Sequence, residues 1–123
     1  YGAHDGNWMP RLRRAAALPM AFPWIRFSLV YAGDLACGIC DCLADDRTIG
    51  RAYNLAGEDR CLSEFLDALR EVDGIRVPFR CPLPLPFRNT YDYSLAAGEL
   101  GFANRSYAEG LADTRRLERV SPG

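Results

Sequence analysis

The chain has 123 residues, of which 49% are hydrophobic and 25% charged, and its formal net charge is -1 at pH 7. This length and composition predict one globular domain and exclude a low-complexity or disordered chain. The balanced charge excludes the basic surface of a nucleic-acid-binding protein, and no apolar stretch reaches the ~18 residues that a membrane span needs.

The beginning of the chain predicts a helix and a strand. The helix runs from Pro10 to about Leu18, with Asn7 as a nearby cap and two prolines just beyond its end. From Trp24 to Tyr31, apolar and polar residues alternate, which is the periodicity of a strand.

A second helix is predicted from Leu35 to about Ala44, after a turn at Gly33-Asp34. We expect the carboxylate of Asp34 to accept amide hydrogens at the start of this helix. The apolar stripe of the helix consists of Leu35, Ile39, Cys40 and Leu43.

The middle of the chain predicts a short strand, a helix and another strand. The two strands cover Ala52 to Leu55 and Ile75 to Phe79. Between them, Ser63 is expected to cap a helix from Glu64 to Val72, and Gly74 ends that helix in the left-handed conformation.

The last third of the chain predicts a stiff connector and two helices. An extended surface segment runs from Cys81 to Phe87, because prolines alternate along it. A short helix follows from Ser94 to Leu100. Ser106 and Glu109 have the spacing of a capping box for the final helix, Tyr107 to about Val120.

These elements predict an α/β fold with a small mixed sheet of about three short strands and four to five helices. A sheet of this size is only marginally stable by itself. The pattern therefore favours one layer of a larger protein over a complete small domain.

One cysteine spacing, Cys37-x-x-Cys40, is typical of a metal site. Zinc takes about four ligands, and the single histidine, His4, lies far away in the sequence. We therefore favour small buried apolar residues in a reducing cytoplasm, with zinc as the open alternative. The cysteines are Cys37, Cys40, Cys42, Cys61 and Cys81.

Several kinds of catalytic machinery are missing from the sequence. All 15 Lys-or-Arg positions are arginine, so neither a Schiff-base lysine nor a phosphate-loop lysine can be built. No glycine-rich dinucleotide turn occurs. His4 and the acidic pairs Asp45-Asp46 and Glu58-Asp59 are expected to be solvated. The sequence thus predicts no catalytic, cofactor-binding or metal-binding residue in this chain.

The order of several short motifs resembles the extended short-chain dehydrogenases/reductases, also called the NAD-dependent epimerase/dehydratase family. The resemblance covers almost the whole chain, although no single motif is specific. The motifs are Tyr1-Gly2, Phe27 to Ala36, Gly50 to Leu55, Leu62 to Phe65, Asp92 to Ala96, Leu100 to Phe102 and Glu109 to Leu111.

The resemblance implies that residues 1–123 are the C-terminal substrate-binding region of such an enzyme. The Rossmann part, with its glycine-rich cofactor turn and its catalytic Tyr-x-x-x-Lys pair, would precede Tyr1 and bind NAD or NADP. The substrate would be a nucleotide sugar or a related alcohol or carbonyl compound. The chain alone is expected to be cytoplasmic, to bind no cofactor and to be inactive.

The resemblance also implies five substrate-binding residues. Arg26 and Arg88 lie near positions where relatives clamp a diphosphate, each one residue away from the usual spacing. Because a one-residue slip turns a strand side chain to the other face, substrate contact and a solvated surface position both stay open for them. Trp8, Met9 and Arg13 lie in a loop and helix that often line the pocket.

The alternative is a small stand-alone or degenerate α/β interaction module that docks on a partner chain without catalysis. Such a module would keep apolar helix faces exposed when isolated. A homodimer is possible, and a tight dimer of the isolated chain with no response to ligand would favour this module.

Overall fold

The computed structural model describes residues 1–120, which form five α-helices and two small sheets. The helices are α1 (Trp8–Ala17), α2 (Ala32–Ala44), α3 (Leu62–Asp73), α4 (Ser94–Leu100) and α5 (Tyr107–Val120). The strands are β1 (Met20–Ala21), β2 (Ile25–Phe27), β3 (Arg60–Cys61), β4 (Cys81–Pro82) and β5 (Phe87–Asn89). None of the helices in this part of the chain is long and apolar enough to cross a membrane. The predicted α/β class, with a small mixed sheet, is confirmed.

The strands pair in two separate groups. Strand β2 is the centre of a three-stranded mixed sheet, with β3 antiparallel on one side and β5 parallel on the other. Strands β1 and β4 form a parallel two-stranded pair. In β2 and β5, Arg26 lies directly opposite Arg88, so the two arginine side chains point to the same face of the sheet.

Two predicted strands are wrong. Neither Ala52 to Leu55 nor Ile75 to Phe79 forms a strand. A strand exists only where a neighbour completes its hydrogen-bond ladder, and residues 1–120 provide none for these segments. For the same reason the strand predicted from Trp24 to Tyr31 shortens to Ile25–Phe27.

The core lies where α1 and α5 pack against the two sides of α3. Its buried side chains are Met9, Leu12, Ala16, Phe65, Leu66, Leu69 and Leu111. Burying each large apolar side chain contributes roughly 2 kcal/mol. The Tyr1 ring packs edge-on against Phe65, with ring centroids 4.9 Å apart. A Cβ at position 110 would approach the Tyr1 hydroxyl to 2.3 Å, so Gly110 allows this ring to enter the core.

The predicted helix ends on α3 and α5 are confirmed, except for one cap. Gly74 has φ 69°, the left-handed conformation that ends α3. Ser106 and Glu109 form the capping box of α5: the Ser106 N–H donates to Glu109 Oε2 at 2.9 Å, and the Glu109 N–H donates to Ser106 Oγ at 3.3 Å. Ser63 does not cap α3; its Oγ accepts the Phe22 N–H at 2.6 Å.

Helix α1 begins at Trp8, earlier than predicted; Asn7 is its N-cap residue, but the capping hydrogen bonds go to the Asp5 carboxylate and not to the Asn7 side chain. Asp5 Oδ1 accepts the N–H groups of Asn7 at 3.0 Å and Trp8 at 2.8 Å. These two groups lack partners inside the helix, so one carboxylate oxygen satisfies both. Burial raises the pKa of Asp5, but the hydrogen bonds from Trp8 and Asn7 outweigh it and leave the pKa below 3.8.

The apolar stripe of α2 is exposed except at Leu35, which is half-buried. Ile39 is 47% exposed and Leu43 83%, and Cys37 and Cys40 are also exposed. The prediction that the cysteines are buried is therefore wrong, since Cys81 is exposed as well and Cys42 and Cys61 are only half-buried. The reason is positional: α2 contacts mainly α4 and a short 3-10 turn at Asp46–Thr48, which leaves its apolar face open.

Asp34 has a different partner from the one predicted. It is buried in the first turn of α2 and binds Arg105, whose N–H donates to Oδ2 at 3.0 Å and whose Nε donates to Oδ1 at 2.7 Å. The guanidinium also lies 4.6 Å from the ring centroid of Tyr31. This ion pair joins the start of α2 to the segment that leads into α5.

A buried arginine on α3 holds the chain that leaves α1. Arg70 is 4% exposed, and its guanidinium donates to the carbonyl oxygens of Ala16 at 2.9 Å, Leu18 at 3.1 Å and Met20 at 3.0 Å. It also donates to Asp67 Oδ1 at 2.8 Å. These bonds fix the turn between α1 and the sheet.

Replacing Arg70 should destabilise the protein strongly. Arg70→Ala leaves three carbonyl oxygens without their donor, and we expect it to lower the free energy of unfolding in urea by about 3 kcal/mol. Arg14→Ala, an exposed position on α1, should change it by less than about 0.5 kcal/mol. Equal losses in both variants would contradict this role of Arg70.

The cap at Asp5 predicts a specific pH dependence. The lowered pKa means that its stabilising contribution is complete above about pH 4 and is lost as the pH falls through the folded-state value. Asp5→Asn keeps an acceptor for the same N–H groups but does not titrate. The wild-type protein should therefore lose stability relative to Asp5→Asn as the pH is lowered from about 4 to about 2.5, measured by urea unfolding. A difference that stays constant over this range would argue against the assigned cap.

Candidate substrate cleft

An apolar cleft of about 670 Å³ opens between the start of α1 and the β2–β5 pair. Its volume is within the usual range for small-molecule sites. It is lined by Tyr1, Asp5, Trp8, Leu12, Ile25, Phe27, Ser28, Leu29, Val30, Leu62, Phe87, Asn89 and Tyr91.

The sheet positions one wall of this cleft. Because successive strand side chains point to opposite faces, Phe27 and Phe87 line the cleft and Arg26 and Arg88 do not. The Phe27 and Phe87 rings pack together with centroids 5.4 Å apart. The cleft wall is therefore aromatic, with the arginines behind it.

The two predicted diphosphate-binding arginines lie together and share one carboxylate. Arg26 Nε donates to Asp59 Oδ1 at 2.7 Å, and Arg88 Nη2 donates to Asp59 Oδ2 at 2.6 Å. The hydrogen bond to Asp59 raises the pKa of Arg26. A direct substrate contact by Arg26 or Arg88 stays a prediction.

The other three predicted site residues lie in different surroundings. Trp8 lines the cleft and is 54% exposed. Met9, the next residue on α1, faces the core and is 1% exposed. Arg13 forms ion pairs with Asp73 at 3.0 Å and Glu118 at 2.8 Å, which join α1 to α3 and α5. The structure thus brings only Trp8 of the five to the cleft.

The sequence reasoning missed the aromatic residues on β5 and just after it. Phe87 and Tyr91 follow a proline-rich segment, which predicted a surface connector and concealed the strand. The sequence does contain a signal for this strand. Arg88 stands between Phe87 and Asn89 in the same alternation in which Arg26 stands between Ile25 and Phe27.

Few polar groups face the cleft. The Asp5 carboxylate is its one charged side chain among the described residues, and it already caps α1. Ser28 Oγ accepts the Tyr91 N–H at 3.0 Å, which fixes the segment after β5. Asn89 contributes an amide and Tyr91 a phenol.

Two glycines, Gly33 and Gly57, are packed closely against other parts of the chain. A Cβ at Gly33 would meet the Tyr31 ring at 2.4 Å, and one at Gly57 would meet the Leu29 carbonyl oxygen at 2.1 Å. These glycines serve close packing within the chain. No group of three or more potential metal-ligating side chains occurs in residues 1–120.

The chain is similar over almost its entire length to several solved structures. UDP-glucuronic acid 4-epimerase from Bacillus cereus, in complex with NAD, aligns with 100% of this chain at 19% identity and a TM-score of 0.69. The Bordetella bronchiseptica enzyme WbmF, in complex with NAD+ and UDP, aligns with 93% at 24% identity and a TM-score of 0.67. A UDP-glucose 4-epimerase aligns with 97% at 18% identity and a TM-score of 0.63.

The likeness is partial in the other direction. The chain spans 42%, 36% and 42% of the lengths of these three structures. No protein-family profile matches the sequence, and no curated protein sequence matches it. The resemblance seen in the motifs is confirmed by the fold: the chain has the fold of the C-terminal part of the extended short-chain dehydrogenases/reductases, the NAD-dependent epimerase/dehydratase family.

Proposed function

We propose that residues 1–123 form the substrate-binding region of an NAD(P)-dependent epimerase, dehydratase or reductase. Its substrate is a nucleotide sugar or a related alcohol or carbonyl compound. The observation that carries this proposal is the cleft of about 670 Å³ that residues 1–120 build between the start of α1 and the β2–β5 pair. The similar structures that contain NAD support the assignment.

In this proposal the chain binds and orients the substrate but does not react with it. Trp8 and Phe87 contact the substrate directly and exclude water from it. The other predicted residues hold the cleft walls in position: Met9 packs in the core below α1, Arg13 joins α1 to α3 and α5, and Arg26 and Arg88 fix Asp59 behind the sheet.

The rest of the enzyme is the partner that the proposal requires. A Rossmann part preceding Tyr1 would bind NAD or NADP, which supplies and accepts the hydride, and would carry the Tyr-x-x-x-Lys pair. The described residues offer α2 as a surface for that part, because Ile39 and Leu43 on it are exposed. A cytoplasmic location and a homodimer of the complete protein belong to the same proposal.

The exposed α2 face also supports a second candidate, a docking module without catalysis. Both functions need a partner surface, so exposure alone does not separate them. They differ in the partner: the enzyme needs a cofactor-binding part with an acid/base tyrosine, and the module does not.

The proposal is tested by the coding sequence upstream of Tyr1 and by the longer protein that it encodes together with residues 1–123. We call this longer protein the uninterrupted protein. We expect a glycine-rich turn after a strand and, about a hundred residues later, a Tyr-x-x-x-Lys pair. Calorimetry should show NAD or NADP binding to the uninterrupted protein and none to the 123-residue chain. The matched control is the uninterrupted protein with the tyrosine of that pair changed to phenylalanine, which should still bind the cofactor but turn over no substrate.

Two results would overturn the enzyme assignment. One is a preceding sequence with neither motif, which would favour the docking module. The other is oxidation or reduction of an alcohol or carbonyl compound by the 123-residue chain with added nicotinamide cofactor. That result would place the chemistry inside residues that we assign to binding alone.

A further inference from the structure

We propose that the cleft binds an uncharged, apolar ring system of the substrate, and that it does not bind the diphosphate of a nucleotide sugar. This inference rests on the proposed function and selects one of the two substrate classes that it leaves open. The class selected is the alcohols and carbonyl compounds that carry an apolar ring.

The charge lining the cleft is unsuited to a diphosphate. Diphosphates are commonly held by arginine side chains, whose planar guanidinium groups bind two oxygens at once. No arginine or histidine side chain in residues 1–120 lines the cleft. The charged side chain that does line it, Asp5, is a carboxylate and would repel a phosphate group.

The start of α1 cannot replace the missing arginines. Backbone N–H groups at the beginning of a helix often bind phosphate. Here the N–H groups of Asn7 and Trp8 already donate to Asp5 Oδ1, at 3.0 Å and 2.8 Å. The electropositive end of the helix is thus neutralised by a side chain of the protein itself.

The arginines on β2 and β5 are directed away from the cleft by the strand geometry. Arg26 and Arg88 alternate with the cleft-lining residues of β2 and β5, and both bind Asp59. To reach a ligand in the cleft they would have to leave that carboxylate and pass to the opposite face of the sheet. Each arginine is one residue away from the family spacing, and this displacement places its side chain on the face of the sheet opposite the cleft.

The cleft walls match an apolar ring. Three aromatic side chains that line it are half-exposed: Trp8 at 54%, Phe87 at 52% and Tyr91 at 58%. An apolar ligand would remove this surface from water, which is the main driving force for binding in such clefts. Asn89 and Tyr91 provide uncharged polar groups for a hydroxyl or carbonyl oxygen on the ring.

Nuclear magnetic resonance of the 15N-labelled chain tests the inference with two probes, 2-naphthol and UDP. The chain has two tryptophans, so its spectrum contains two indole N–H signals, and Trp24→Phe assigns them. Titration with 2-naphthol should shift the Trp8 signal and leave the Trp24 signal in place, because Trp24 does not line the cleft. UDP should shift neither signal.

A matched pair of variants locates the binding site. Phe87→Ala removes one aromatic wall and should weaken 2-naphthol binding about fivefold. Phe79→Ala removes a phenylalanine that is 64% exposed and outside the cleft, and should leave the affinity unchanged. Trp8→Ala gives a second cleft variant, at a position where the side chain is half-exposed, and should also weaken binding.

Three outcomes would overturn the inference. The first is binding of UDP that weakens in Arg26→Ala or Arg88→Ala. The second is 2-naphthol binding of equal affinity in Phe87→Ala and Phe79→Ala. The third is no binding of 2-naphthol at all. Each of these would leave the proposed function standing if the uninterrupted protein binds NAD or NADP and has the Tyr-x-x-x-Lys pair. Absence of both would reject the proposed function instead.

Discussion

The packing of α3 between α1 and α5 is the constraint on which the rest of the structure depends. Phe65, Leu66 and Leu69 on this helix have almost no exposed surface. Arg70, on the same helix, donates hydrogen bonds to the carbonyl oxygens of Ala16 and Leu18, where the chain leaves α1. Because β2 follows that segment and also contacts α3, the helix determines where the cleft wall lies.

The chemistry of the cleft then follows from the two-residue period of the strands. In β2 and β5, one face carries arginines and the other carries aromatic side chains, and Asp59 holds Arg26 and Arg88 on the side away from the cleft. A fold shared with nucleotide-sugar epimerases thus carries, in residues 1–120 of this chain, a cleft lined by aromatic side chains and by no arginine. Similarity of fold does not by itself transfer the ligand, since ligand choice depends on the side chains at the site.

Sequence reasoning predicted those features that depend on neighbouring residues. The end of α3 at Gly74 and the capping box of Ser106 and Glu109 are local, and both are present as expected. Strand pairing depends on distant residues, so Ala52 to Leu55 had the composition of a strand but no neighbour among residues 1–120. For the site, the family resemblance indicated Met9 and Arg13 as residues of a loop and helix that line the pocket, but the helical period turns Met9 to the core and Arg13 to ion pairs.

A crystal structure of the uninterrupted protein, with cofactor and substrate bound, measures most directly whether this chain is the wall of a substrate cleft. We expect the substrate to contact Trp8 and Phe87, and the cofactor to be held by residues outside this chain. A cofactor held by residues 1–120, or a substrate bound to Arg26 and Arg88 with Trp8 left free, would contradict the division of roles that we describe.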